Sequence, residues 1–184
     1  PQRSASTVCR LNPMDNTDLA ETSGSKLFAL QMSAMKKGVD LMVIDTAAGV
    51  EEETAAAIVL ADLCVMIVRP TFLDLAAAIQ TADMVRRLRK PLITVLNQAP
   101  PPRSGVESGA VVRALKALEL LRLSVAPFIL RARAIYQTCM EQGRSSEQCD
   151  DPVAAEEIGR LMDFILKLVL PNFQPVRQSQ GVSP

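Results

Sequence analysis

Asp45 closes an uninterrupted run of four apolar residues, Leu41 to Ile44, and is followed by Thr46, Ala47, Ala48 and Gly49. An unbroken apolar run predicts a strand buried on both faces of a parallel sheet. Open parallel sheets bind their ligands just beyond the carboxyl ends of the strands. A carboxylate in that place is able to hold a water on a magnesium ion beside a phosphate. Gly49 gives the following turn backbone angles closed to other residues. The competing assignment is structural: an acid that caps the helix opening near Glu51.

Composition narrows the chemistry around that acid. The 184 residues contain no His, which removes Ser-His-Asp and Cys-His catalysis and any imidazole acid–base step. Cys9, Cys64, Cys139 and Cys149 form no C-x-x-C pair and no metal-ligand spacing, and they are expected to be reduced, as in a cytosolic protein. Lys and Arg balance Asp and Glu at 20 each, so no net field draws the chain to nucleic acid or membrane, and such binding needs a local patch. No apolar run approaches the roughly 20 residues of a membrane helix, and no signal peptide is expected. The length suits one packed domain built of aliphatic contacts.

The elements that must position Asp45 alternate between helix and strand. Ser25 is expected to cap a helix to about Lys37, with Leu27, Leu30, Ala34 and Met35 as its apolar stripe and Gly38 as its end. Met32, Met35, Met42 and Met66 read as core gap-fillers. After the central strand, Glu51, Glu52 and Glu53 open a helix whose positive dipole end they favour. Leu63 to Val68 is a second strand, with Cys64 as a buried thiol. Asp74 is expected to cap a helix from Leu75 to Arg89, stopped by Pro91. Leu92 to Leu96 is a third strand, closed by Asn97. The proline-rich run Ala99 to Gly105 must be an exposed loop. A helix from Ala110 to Leu121, a strand from Ser124 to Phe128 and a helix from Arg131 to Gln142 follow. Asp151-Pro152 starts a last amphipathic helix, Val153 to Leu170. The alternation predicts the α/β class: a mostly parallel sheet with helices on both faces. Residues 1–172 form the domain, and 173–184 a disordered tail.

Taken in order, these pieces resemble the ParA/MinD family of deviant P-loop ATPases, whose fold is P-loop NTPase-like, of the SIMIBI type. Pro1-Gln2-Arg3-Ser4-Ala5-Ser6 is similar to the tail of the family's first switch, and Asp40 to Gly49 to its second switch, an apolar strand followed by Asp-Thr-Pro-Pro-Gly. Ala61-Asp62, Pro70 and Asp74-Leu75 resemble its "AD-strand-P…DL" pattern, Leu96-Asn97 its strand end beside the adenine, and Arg133, Tyr136 and Gly143 to Glu147 its "R…Y…G…E" segment. Two departures stand out. No Lys-Gly-Gly-x-Gly-Lys-Thr run occurs, and this is the loop that cradles the phosphates. The family's water-positioning Asp would precede Pro1. Both fit an N-terminal truncation of roughly 35 residues, one strand–helix–strand unit. In addition, Ala47-Ala48 replaces the usual Pro-Pro.

The resemblance implies a nucleotide site with ATP and Mg2+ as cofactors. Asp45 would hold the magnesium-bound water, Thr46 to Gly49 would form the moving loop, and Asn97 would face the base or serve as a strand-end turn residue. Gln2 and Arg3 would be the first-switch remnant. Arg131 and Arg133 would touch DNA phosphates, or else be surface or salt-bridged arginines. The implied protein is a cytoplasmic homodimer that partitions a plasmid or chromosome. It would bind DNA non-specifically with ATP and let go when a ParB-like adaptor or activator stimulates hydrolysis, without a membrane. The alternatives are a MinD- or MipZ-like positioning ATPase and, from a different class, a non-catalytic interaction module of the same fold. A dinucleotide-dependent oxidoreductase is disfavoured, because no G-x-G-x-x-G follows any strand.

Overall fold

The computed structural model describes residues 4–11, 17–46, 51–145, 148 and 150–171. Gln2, Arg3, Gly49, Glu147 and the expected tail lie outside the described residues. The described elements are α1 (Ser4–Leu11), α2 (Gly24–Lys36), α3 (Glu51–Leu60), β1 (Cys64–Val68), α4 (Phe72–Arg87), β2 (Leu92–Ala99), α5 (Gly109–Leu120), β3 (Val125–Arg131), α6 (Ala134–Glu141) and α7 (Pro152–Val169). The three strands form a parallel sheet in the order β1-β2-β3. Each strand pair is joined through a helix, as parallel pairing requires.

Alternation along the strands divides the core into two layers. Met66 and Val68 of β1 and Leu96 of β2 pack with Ala78 and Ala82 of α4 and with Val111, Ala114 and Leu118 of α5. The small alanines of α4 let the helix approach the sheet closely. Ile93 and Val95 of β2 and Ala126 and Leu130 of β3 point the other way, onto Leu161 of α7, with Ile158, Phe164 and Ile165 beside it. Phe128 and Phe164 meet edge to face at 5.9 Å, the arrangement ring quadrupoles favour. The α7 layer stops short of β1, whose Val65 and Ile67 stay exposed.

The strand expected at Leu41 to Ile44 is not formed. Residues 41–46 have no assigned secondary structure, and among the described residues no strand pairs with them. Exposure alternates, with Val43 at 80% and Leu41 at 41% while Met42 and Ile44 are half-buried. The pattern is that of extended chain covered on one side. A strand exists only where a neighbour takes up its N–H and C=O groups.

Four helices end alike. In each, the residue after the C-cap takes a positive φ: Gly38 (74°), Arg89 (54°), Arg122 (53°) and Gly143 (65°). The next N–H then reaches back five residues: Val39 to Ala34, Lys90 to Val85, Leu123 to Leu118 and Arg144 to Cys139. This is the Schellman motif. Glycine takes the left-handed step freely, whereas a residue with a β-carbon loses about 1 kcal/mol there. Two of the four ends nevertheless use arginine.

Several expected boundaries move. Ser23, not Ser25, occupies the N-cap position of α2, and makes no side-chain cap bond. Met35 and Met32 are exposed, and only Met66 of the four expected gap-filling methionines is buried. The cap of α4 is Thr71, whose Oγ1 accepts from the Asp74 N–H at 3.3 Å. β2 runs through Asn97 to Ala99, and Arg131 ends β3 instead of opening a helix. At α7 the expectation holds: Asp151 Oδ1 accepts from the N–H groups of Val153 and Ala154, both at 3.0 Å, with Pro152 in the first turn. Cys139 is disulfide-bonded, against the expectation of reduced thiols, whereas Cys9 and Cys64 are free. Cys64 is only half-buried, and that burial pushes its thiol pKa up.

Candidate functional site at the carboxyl edge of the sheet

The carboxyl ends of β1, β2 and β3 carry connected sets of polar contacts. Beyond β1, Arg69 grips Asp74 with Nε at 2.8 Å and Nη2 at 2.9 Å, and its backbone N–H adds a bond at 3.1 Å. Thr71 Oγ1 lies 3.1 Å from the same carboxylate. The hydrogen bond from Arg69 leads in holding the Asp74 pKa down to about 2. Asp74 is thus a fixed anion in the first turn of α4, where the helix dipole also favours it.

Near the end of β2 the ladder slips. The parallel register to β3 is irregular between Leu96 and Ala99. Gln98 takes a φ of 51°, uncommon for a residue with a β-carbon. Asn97 Oδ1 accepts from the Gln98 N–H at 2.8 Å, which fastens the bulge. The chain then turns through Pro100 to Pro102 into a tight turn in which Arg103 and Val106 exchange both backbone hydrogen bonds, at 3.0 and 2.9 Å. Ser104 and Gly105 both have positive φ, as a type I′ turn demands.

Arg131 ties that loop to β3. Its Nη1 donates to the Pro100 carbonyl and to Glu107 Oε2, both at 3.0 Å, and Nη2 reaches Glu107 Oε1 at 2.5 Å. The arginine side chain is only 14% exposed. The hydrogen bond from Arg131 leads in lowering the Glu107 pKa. Two residues on, Arg133 forks onto Glu157 of α7, with Nε at 3.1 Å and Nη2 at 2.5 Å. Glu157 also accepts from the Arg131 N–H at 3.3 Å. The Tyr136 hydroxyl is shared between Glu157 Oε2 at 3.1 Å and the Ala154 carbonyl at 3.2 Å. Burial pushes the Glu157 carboxyl up, but the bonds from Arg133, Arg131 and Tyr136 outweigh it and the net shift is down. Burial first, and then the hydrogen bond to Glu157, drives Tyr136 up to about 12.

Two open grooves flank this network. One, of about 400 Å³, is lined by Pro100, Pro101, Arg103, Val106, Glu107 and Ser108. The other, of about 350 Å³, lies along Phe128, Ile129, Arg131, Glu157 and Arg160, whose guanidinium sits 4.8 Å over the Phe128 ring. Glu107 borders both.

Among the expected site residues, Asp45 and Thr46 are exposed on the extended segment 41–46. Asn97 is half-buried and lines neither groove. Arg131 and Arg133 are both engaged by carboxylates. Glu107 and Glu157 were not expected here. Glu157 stands 24 residues from Arg133 on an amphipathic helix, and nothing in the sequence links the two. Among the described residues, no group of three Cys, Asp or Glu side chains is placed to hold a metal ion. A lone exposed carboxylate such as Asp45 suits magnesium only in the mode where phosphates and waters supply the other ligands.

No protein-family model matches the chain, and neither does any curated protein sequence. Among solved structures, the chain is similar to the MinD cell division protein of Aquifex aeolicus, at 15% identity and a TM-score of 0.58. The similarity covers 79% of this chain and 63% of that one. The fold of this chain is therefore like that of MinD, an α/β arrangement around a parallel sheet.

Proposed function

We propose that this protein is a ParA-like ATPase of plasmid or chromosome partitioning. It binds ATP with Mg2+ at the carboxyl edge of the sheet, dimerises around the nucleotide, holds DNA without sequence preference and lets go when a ParB-like partner stimulates hydrolysis. The observation that carries the reading is a MinD-like fold in which Asp45 ends an extended apolar segment with its carboxylate exposed. Asp45 holds the magnesium through water, and Thr46 and Gly49 belong to the loop that responds to the last phosphate. Asn97 faces the base, and Gln2 and Arg3 belong to the first switch. Arg131 and Arg133 enter DNA binding only by exchanging Glu107 and Glu157 for phosphates. A cytoplasmic setting follows from that role. Among the described residues no helix is long and apolar enough to cross a membrane.

A second reading has its own support. The 184 residues contain no Lys-Gly-Gly-x-Gly-Lys-Thr run, and the amide cradle of such a loop supplies most of the affinity for phosphate. A non-catalytic interaction module of the same fold needs no such loop. Assay of the product of the complete reading frame separates the two. Magnesium-dependent ATP hydrolysis, raised by DNA or an activator, supports the ATPase. Its absence at every protein concentration supports the module.

A further inference from the structure

Arg89 and Arg122 occupy the left-handed step after α4 and α5, the position that Gly38 and Gly143 fill after α2 and α6. The hydrogen bonding is the same at all four ends, so the turn itself does not ask for arginine. Neither does the helix dipole: Arg86 and Arg87 supply basic side chains in the last turn of α4, and at α5, whose own last turn has none, Arg86 donates to the Leu121 carbonyl. A strained residue where glycine fits points to work done by its side chain.

The two arginines share one end of the molecule. α4 leads into β2 and α5 into β3, and β2 and β3 are paired, so both helix ends lie at the amino edge of the sheet, opposite the candidate nucleotide site. Arg86 Nη2 donates to the Leu121 carbonyl and ties the two ends together. Arg87, Arg89 and Arg122 are exposed there, with Lys90 half-buried between β2 and α4. The acids on this edge are Asp83, which Arg86 already pairs at 3.2 Å, and the exposed Asp62 and Glu119. On a chain of zero net charge this is a local basic patch.

We propose that the amino edge, through Arg87, Arg89 and Arg122, binds the phosphodiester backbone of a nucleic-acid duplex. The proposal rests on the DNA-binding part of the reading above and moves its surface from Arg131 and Arg133, which Glu107 and Glu157 engage, to this opposite edge. Guanidinium groups fork onto phosphate oxygens with a geometry lysine lacks. Across residues 86–91 and 119–123, which carry these arginines, Leu120 is the one large exposed apolar side chain, too little to insert into a bilayer.

The test measures binding of a mixed-sequence duplex across a salt series, with and without Mg-ATP, for the wild type and the Arg89→Gly/Arg122→Gly variant. Vesicles containing phosphatidylserine and polyglutamate serve as competing polyanions. The expected result is duplex binding that weakens at least about tenfold in the variant, with a salt slope smaller by about 2. The variant should melt at the same or a higher temperature, and Arg89→Asn/Arg122→Asn should behave alike. Duplex binding unchanged in both variants overturns this surface and leaves the DNA reading standing. No duplex binding by the wild type overturns both. A preference for vesicles or polyglutamate overturns the nucleic-acid assignment, and a lower melting temperature in the glycine variant overturns the argument from strain.

Discussion

Arg133 sets two nitrogens on the two oxygens of Glu157, joining the end of β3 to the second turn of α7 across 24 residues of sequence. Tyr136 and the Arg131 N–H add two further bonds, both to Oε2 of the same carboxylate. The pair is three-quarters buried, with 27% and 20% of the two side chains exposed. Breaking it leaves a charged carboxylate partly desolvated.

Arg133→Ala should therefore lower the unfolding free energy by about 2 kcal/mol near neutral pH. The folded Glu157 pKa is depressed below its ordinary 4.5, so the contribution is present above that value and is lost as pH falls through the folded one. The deficit of the variant should accordingly shrink in acid. Urea melts of both proteins between neutral pH and pH 3 check this. A deficit that stays constant into acid would show that packing, not the charge pair, sets the loss.

Thr94 stands in the middle of β2, fully buried, with its Oγ1 unpartnered among the described residues. An orphaned buried hydroxyl costs more than the methyl that would replace it. Thr94→Val, nearly equal in volume, should stabilise the protein by about 1 kcal/mol, read from the denaturation midpoint at constant slope. A destabilised variant would mean that the hydroxyl has a partner in solution.

How far the sequence carried depends on the kind of information each element needs. β1, α4, α5 and α7 were legible because apolar periodicity and end signals such as Asp151-Pro152 are local. The segment 41–46 was not, because a strand also needs a partner, and its apolar run says nothing of one. A polar residue usually stops an apolar run, so the sequence pattern of β2 closes at Asn97. In fact Asn97 and Gln98 form a bulge, and the ladder resumes at Ala99 opposite Arg131. Arg131 reads as helical for a related reason: its charge hides that it is the last residue of β3. The contacts Arg131–Glu107 and Arg133–Glu157 are long-range pairings, which one sequence does not reveal.

The central claim is that Asp45 belongs to a nucleotide site, and Asp45→Asn tests it most directly. The substitution keeps the shape and removes the charge. Turnover of Mg-ATP and thermal melting should be measured on the same variant, made from the complete reading frame. The account predicts that partner-stimulated turnover is abolished while melting barely changes, since an exposed side chain on segment 41–46 contributes little to the core. Normal turnover, with or without a cap-sized loss of about 1 kcal/mol in stability, would contradict it.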